Sequence, residues 1–137
     1  MIFFDAKAGE QFPFIRKRAG HLLSKARLSA AQLLAYLADG HWLELARHAN
    51  RMSQRLAAGL LQKSGVRVPS LPDGNEIFAY LDVGLAERLK AFGATFHDWP
   101  ASAFDDGDRP RPNEVIGRLV TSFKTSEQEV DSFLALC

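Results

Sequence analysis

The sequence predicts an α+β fold, in which a long N-terminal helix precedes a small, largely antiparallel sheet with helices packed on it. Two observations favour this class. Between about His41 and Lys63 an apolar residue recurs every three or four positions, which is typical of one long helix with a buried face. Beyond it, short apolar runs alternate with turn signals and two shorter helical patterns, which indicates a few strands with helices layered against them.

The first 28 residues are predicted to be a strand and a basic linker, ahead of a domain at 29–137. The run MIFFD at 1–5 is apolar and aromatic and predicts a short buried strand. Lys and Arg number six against two acidic residues in 1–28, a local charge of +4. The Ser29-Ala-Ala-Gln32 pattern has the form of a capping box, so a helix is predicted to begin at Ser29 and to end near Gly40.

The remaining elements follow in order. Residues 66–70 and 75–82 predict two strands of a hairpin, joined by the Leu-Pro-Asp-Gly turn at 71–74. A short helix is predicted from about Leu85 to Phe92, and then a third strand at 94–99, a surface loop at 100–113 and a fourth strand at 115–123. Ser126-Glu-Gln-Glu129 is a second capping box and predicts the start of a final helix.

Length, charge and cysteine usage narrow the class of protein. A chain of 137 residues with 47% hydrophobic residues is enough for one compact domain with a real core. The net charge of +1 argues against a general affinity for nucleic acid or an anionic membrane, and no apolar run reaches the roughly 18 residues of a membrane helix. With one cysteine, Cys137, no internal disulfide is possible, and we expect a cytoplasmic protein with neither membrane nor nucleic-acid partners.

Several separated segments, in one order, resemble a known family. They are FFD, RKRAGHLLSKARLSAAQLLAYL, WLELARHANRMSQRLAAGL, NEIFAYL and RLVTSFKTSEQEVDSFLA, which together cover nearly the whole chain. They resemble the C-terminal part of low-specificity L-threonine aldolases. Those enzymes belong to the aspartate-aminotransferase-like fold type I of pyridoxal-phosphate proteins and split β-hydroxy-α-amino acids into glycine and an aldehyde. The resemblance implies the small C-terminal domain of that fold, with residues 1–28 as a remnant of the large domain.

The resemblance also implies what this chain lacks. In the family, the lysine that forms the Schiff base with pyridoxal phosphate precedes the strand that ends in FFD, and the large cofactor-binding domain precedes that lysine. None of the lysines here stands at the matching place, and imine chemistry depends on geometry. The chain alone is therefore predicted to bind no cofactor and to be inactive, although the complete enzyme would use pyridoxal phosphate and a β-hydroxy-α-amino acid.

Four residues are carried over as candidate site residues. Arg118 matches the family arginine that resembles a clamp for the substrate carboxylate, and a guanidinium offers two parallel donors to such a group. The alternative is an edge-strand arginine in a surface ion pair.

Arg27, with Lys25 and Ser24, matches a basic segment that faces the cofactor phosphate or a neighbouring subunit, and a helix N-terminus there would favour an anion. The alternative for these three is a solvated linker.

Other chemistry-bearing residues are predicted to be structural. Arg16, Lys17 and Arg18 are consecutive and cannot all face one ligand. His41 and His48 are seven residues apart but lack a third metal ligand at suitable spacing, so no metal site is predicted. His97 and Asp98 are neighbours in a strand and point to opposite faces. His21 lies in the family-like segment and is a weaker candidate at the edge of the active site, whereas Cys137 has no activating neighbour.

A second function remains open at this stage. A free-standing module that kept the small domain would expose the apolar faces of MIFFD and of the 41–63 helix, and such patches drive association. If the chain is not part of an enzyme, the alternative is therefore a non-catalytic, oligomerising interaction module. In either case we expect a homo-oligomer.

Overall fold

The computed structural model describes residues 4–104 and 108–137. The chain divides into two compact units, one up to Trp42 and one from Leu43 to Cys137. The boundary at 28/29 drawn from the sequence concerns the domains of the resembled family and stays a prediction. None of the described helices is long and apolar enough to cross a membrane.

Three helices make up most of the first unit: α1 (Ala6–Glu10), α2 (Phe12–Arg18) and α3 (Ala26–Leu37). Residues 6–10 and 12–18 are thus helical where a linker was predicted. Met1, Ile2 and Phe3 lie outside the described residues. Phe4 and Asp5 are exposed and belong to no strand, so the buried strand predicted at 1–5 is wrong for these two. The reason is local, because the Asp5 carboxylate accepts a hydrogen bond from the backbone N–H of Lys7 at 2.9 Å and starts α1.

The predicted start of α3 is wrong by one turn. Lys25 is the N-cap residue and makes no side-chain capping bond, so Ser29 lies inside the helix and its capping box does not form. Ala26, Arg27 and Leu28 are good helix formers, and they continue the helix on the N-terminal side of Ser29. The predicted end is confirmed. A short 3-10 helix at Ala38–Gly40 follows α3, and Gly40 has a φ of 74°, which glycine adopts without strain.

The second unit contains a four-stranded sheet and the packed helices. Its helices are α4 (His41–Leu60, which begins just before the unit boundary), α5 (Val83–Ala91) and α6 (Glu127–Leu136). Its strands are β1 (Val66–Arg67), β2 (Glu76–Asp82), β3 (His97–Trp99) and β4 (Glu114–Val120), in the order β1-β2-β4-β3. Every neighbouring pair is antiparallel. The predicted α+β class, the hairpin of the first two strands and the order of elements are confirmed.

The core lies between one face of the sheet and the helices. Alternate residues of β2 enter it, since successive side chains of a strand point to opposite faces. The apolar stripe predicted for α4 is also confirmed, although Leu45 is half-buried. The described core comprises Met52, Leu56, Ala57, Leu60, Ile77, Ala79, Leu81, Leu85, Ala86, Leu89, Leu119 and Val130.

Polar contacts hold α6 and the segment before it against α4. The predicted capping box forms, with Ser126 Oγ accepting from the Glu129 N–H and the Glu129 carboxylate accepting from the Ser126 N–H. Arg55 donates to both carboxylate oxygens of Asp131 at 3.0 and 2.9 Å. His48 Nε2 donates to the Thr125 carbonyl at 2.7 Å. The other face of the sheet is left free of these helices, and it carries the candidate site.

Candidate functional site

The outer face of the sheet, opposite the helices, gathers the candidate site residues of the second unit. In the β2–β4 pairing Phe78 lies opposite Arg118, and in the β3–β4 pairing His97 lies opposite Arg118. Residues opposite each other in a ladder point to the same side of a sheet. Arg118 is therefore flanked on this face by residues of both neighbouring strands. Its strand is an inner one, which corrects the edge-strand alternative.

The Arg118 guanidinium is positioned by an acid and an aromatic ring. Its Nε and Nη2 both donate to Oε1 of Glu76, the first residue of β2. Its Cζ lies 5.2 Å from the centroid of the Trp99 ring, within the range of a cation–π contact. The Arg118 side chain is 32% exposed and that of Glu76 is 38% exposed. The ion pair of the alternative interpretation is thus present, and the guanidinium remains open to solvent.

Aromatic rings form an apolar wall beside this ion pair. The Phe78 ring centroid lies 5.4 Å from that of Trp99 and 5.5 Å from that of Phe104. Phe104 also meets Tyr80 edge-on at 5.8 Å. A cavity of about 270 Å³ opens next to this wall. Its lining is Pro69, Ser70, Leu71, Pro72, Asp73, Glu76, Phe78 and Phe104.

A second arginine–glutamate pair lies elsewhere on the sheet and is structural. Arg67 of β1 donates to both carboxylate oxygens of Glu114 at 2.9 and 2.7 Å, and its guanidinium lies 4.7 Å from the Tyr80 ring centroid. The pKa of Glu114 is lowered to about 2, chiefly by the hydrogen bond from Arg67 and also by that from the backbone N–H of Arg111, against the opposing effect of burial. Burial raises the pKa of Tyr80, whose hydroxyl donates to the Asp108 carbonyl. This pair joins β1 to β4 across β2, and its glutamate side chain is 8% exposed, whereas the glutamate side chain of the Arg118 pair is 38% exposed.

The predicted cofactor-binding residues lie in the first unit. Ser24 and Lys25 form the turn before α3, Arg27 lies in its first turn, and all three side chains are exposed. The structure therefore places these three at the N-terminal end of α3, with Arg27 inside the helix and not ahead of it as predicted. Arg118 belongs to the second unit. A role in cofactor binding stays a prediction for Ser24, Lys25 and Arg27.

The histidines and the cysteine have ordinary surroundings. His48 is half-buried and bonded to the Thr125 carbonyl, as expected of an interface residue. Asp98 pairs with Lys90 of α5 at 3.0 Å, whereas His97 shares the face of Arg118, so the neighbours do point apart. His21 and His41 are exposed.

Burial raises the pKa of the Cys137 thiol, which disfavours a nucleophilic thiolate. Within residues 4–104 and 108–137, no three or more His, Cys, Asp or Glu residues form a group that could hold a metal ion.

The surroundings of Arg118 were missed by sequence reasoning. Glu76, Trp99 and Phe104 come from three separate segments of the chain. Strand register brings Glu76 and Trp99 next to Arg118. The loop after β3 brings Phe104 into contact with Phe78. The NEIFAYL segment did signal a strand that begins near Glu76, but its register against β4 could not be read from it.

Comparison with known proteins decides the relationship. A low-specificity L-threonine aldolase of a Pseudomonas species is 32% identical over 102 residues, which cover 74% of this chain and 30% of that enzyme. One from Pseudomonas aeruginosa is 35% identical over 97 residues, which cover 71% of this chain and 28% of that enzyme. The chain is related to the low-specificity L-threonine aldolases. No protein-family model matches it.

A solved structure supports the same relationship at the level of the fold. The threonine aldolase of Leishmania major superposes with a TM-score of 0.61 at 24% identity, over 74% of this chain and 27% of that one. The chain thus spans less than a third of the length of the threonine aldolases it matches. The resemblance to part of this family, and the α+β fold it implied, are confirmed.

None of the six lysines of this chain is buried. A Schiff-base lysine is tuned by an environment that removes it from water. Lys7, Lys17, Lys25, Lys90 and Lys124 are exposed, and Lys63 is only half-buried. In addition, Lys90 is held in an ion pair with Asp98.

Proposed function

We propose that this chain is the C-terminal, substrate-carboxylate-binding part of a pyridoxal-phosphate-dependent lyase of the threonine aldolase type. The supporting observation is Arg118 itself. Its side chain is 32% exposed, lies on the sheet face opposite the helices and already holds a carboxylate, that of Glu76. In the complete enzyme the cofactor supplies the electron sink for breaking the Cα–Cβ bond of a β-hydroxy-α-amino acid.

Three features suit Arg118 to this role. The planar fork binds a carboxylate through two donors, which fixes orientation as well as position. The Trp99 ring restrains the guanidinium by a cation–π contact. Because β4 is an inner strand with a neighbour on each side, the backbone that carries Arg118 is held in place by the ladder.

Carboxylate binding tests this function directly. Glycine would be titrated into the ¹⁵N-labelled chain at constant ionic strength, and NMR would follow the Nε–Hε signal of Arg118 and the backbone amide signals of its ladder partners, Phe78 and His97. The amide signals serve as the readout in the variant that lacks Arg118. Arg118→Gln should abolish the response, whereas Arg51→Gln, which removes an exposed arginine of α4, should not change it. An equal glycine response in the Arg118→Gln variant would reject Arg118 as the carboxylate-binding residue.

Activity of the isolated chain is a second test. With pyridoxal phosphate and threonine we expect no release of glycine, because no lysine of this chain has the surroundings of a Schiff-base lysine. Borohydride trapping followed by mass spectrometry should show scattered or absent lysine labelling. Stoichiometric labelling of a single lysine, with glycine released, would overturn the predicted inactivity.

A second candidate function, the non-catalytic oligomerising module, rests on the first unit. Helices α2 and α3 have no buried residues among those described, yet they carry Phe14, Ile15, Leu28, Leu33, Leu34 and Leu37 with at least half of each side chain exposed. Apolar side chains in this number favour association with another surface. Of the two apolar faces expected to be exposed, that of α4 is instead buried in the core of the second unit, whereas Phe4 of the MIFFD segment is exposed as expected.

A further inference from the structure

Glu76 occupies one of the positions on Arg118 that a substrate carboxylate could take. Both Nε and Nη2 of Arg118 donate to the same oxygen, Oε1 of Glu76. These two donors form one of the two edges through which a guanidinium binds a carboxylate in the bidentate manner. A second carboxylate cannot use the same edge while Glu76 remains there, and it would also be repelled by the charge of Glu76.

We propose that Glu76 is an internal competitor for the Nε/Nη2 edge of Arg118, which a ligand carboxylate must displace to bind at that edge, and that Glu76 thereby favours ligands with an ammonium group next to their carboxylate. This inference rests on the proposed function of Arg118 as the carboxylate-binding residue. It assigns to Glu76 the selection of α-amino acids over simple carboxylates.

Replacement of Glu76 on Arg118 by a ligand carboxylate requires little free energy. Glu76 and Arg118 are 38% and 32% exposed, and an ion pair that is partly open to water contributes little net stability. A displaced Glu76 has space, because its side chain borders the cavity of about 270 Å³ lined by Phe78 and Phe104. Glu76 can therefore leave the guanidinium without a rearrangement of the β2–β4 ladder.

The charge left behind produces the selectivity. When a plain carboxylate such as acetate takes Arg118, the carboxylate of Glu76 loses its partner and faces a second anion. When glycine takes Arg118, its ammonium group lies next to the bound carboxylate and within reach of the displaced Glu76. The attraction between this ammonium and Glu76 compensates for the lost ion pair, so glycine binds in preference to acetate.

The test compares acetate and glycine as probes. Each would be titrated into the ¹⁵N-labelled 137-residue chain at pH 7 and fixed ionic strength. The readout is the Arg118 Nε–Hε signal together with the backbone amide signals of Phe78 and His97, which remain in Arg118→Gln. We expect glycine to bind more tightly than acetate in the unmodified chain. In Glu76→Gln the ratio of the acetate Kd to the glycine Kd should fall by about two- to fivefold, mainly because acetate binds more tightly.

Two further variants sharpen the comparison. Asp131→Asn removes one negative charge from the Arg55 ion pair between α4 and α6, away from the outer sheet face, and should leave the ratio unchanged. Glu76→Ala should behave like Glu76→Gln, and a dispersed NMR spectrum of each variant verifies folding.

The outcomes separate this inference from the function on which it rests. An unchanged ratio in both Glu76 variants, with binding still abolished in Arg118→Gln, would reject the role of Glu76 and leave Arg118 as the carboxylate-binding residue. An equal fall of the ratio in Asp131→Asn would mean that net charge alone is responsible, and it too would reject the role of Glu76. Probe binding that persists in Arg118→Gln would instead reject the function proposed for Arg118, and with it this inference.

Discussion

Glu114 and Glu76 show how differently two carboxylates on one sheet can be used. Glu114 is 8% exposed and receives two hydrogen bonds from Arg67, so its charge is stabilised and its position is fixed. Glu76 forms an ion pair with Arg118 in which both side chains are partly exposed to water. Buried charges tolerate the loss of a partner poorly, whereas exposed ones exchange partners readily. We therefore expect Glu114 to contribute to stability and Glu76 to ligand exchange.

The Arg67–Glu114 pair predicts a pH-dependent contribution to stability. The folded-state pKa of Glu114, about 2, lies below the ordinary value of 4.5, so the contribution is complete above about pH 4.5 and is lost as the pH falls through about 2. Glu114→Gln should lower the free energy of unfolding at pH 7 by about 1–3 kcal/mol. Urea unfolding at a series of pH values would measure it, and the difference from the unmodified chain should shrink between pH 4.5 and 2.

A matched variant controls for the loss of any carboxylate. Glu87 is exposed on α5, and Glu87→Gln should change the free energy of unfolding by less than about 0.5 kcal/mol. If Glu114→Gln were as mild as Glu87→Gln at pH 7, the ion pair with Arg67 would not be the stabilising contact inferred here.

At the scale of elements, two similar sequence patterns have different outcomes. Ser126-x-x-Glu129 forms a capping box at the start of α6, whereas Ser29-x-x-Gln32 lies inside α3. The motif supplies a cap only if the preceding backbone is not helical. The helix-favouring residues Ala26, Arg27 and Leu28 precede Ser29, whereas the non-helical segment Phe123–Thr125 precedes Ser126. The preceding residues thus decide whether the pattern is used.

This difference predicts that a serine-to-alanine substitution lowers the free energy of unfolding at one of the two sites but not at the other. Ser126→Ala removes the acceptor for the Glu129 N–H and should lower the free energy of unfolding by about 0.5–2 kcal/mol. Ser29 is exposed and lies inside α3, and Ser29→Ala introduces a better helix former there. It should change the free energy of unfolding by less than about 0.5 kcal/mol. Urea unfolding followed by circular dichroism compares them. Equal losses in the two variants would contradict the assignment of the two helix starts.

At the scale of the whole molecule, the two units differ in what they bury. The second unit has a continuous core between its sheet and helices. In the first unit, Leu33 and Leu34 of α3 are 59% and 71% exposed. Burial of apolar area is the main driving force of association as it is of folding. The first unit is therefore the part of this chain that gains most from a partner surface.

Self-association tests this conclusion. We expect the chain to form oligomers at micromolar concentration, measured by light scattering or sedimentation. Leu33→Glu combined with Leu34→Glu should weaken association at least about tenfold, because each leucine contributes about 1.5–3 kcal/mol when buried. Gln32→Glu adds a charge at an exposed polar position of α3 and should leave association intact. A monodisperse monomer of the unmodified chain would contradict the prediction.

The sequence by itself determined the α+β class, the order of the elements in the second unit and the capping box of α6. These depend on local periodicity, turn residues and caps, which are encoded within a few positions. It also carried the resemblance to threonine aldolases, and with it Arg118. The register of β2, β3 and β4, the Glu76–Arg118 pair with its aromatic wall, and the exposure of α3 were decided only in the tertiary structure. These depend on residues that are distant in the chain, and no local pattern fixes which of them meet.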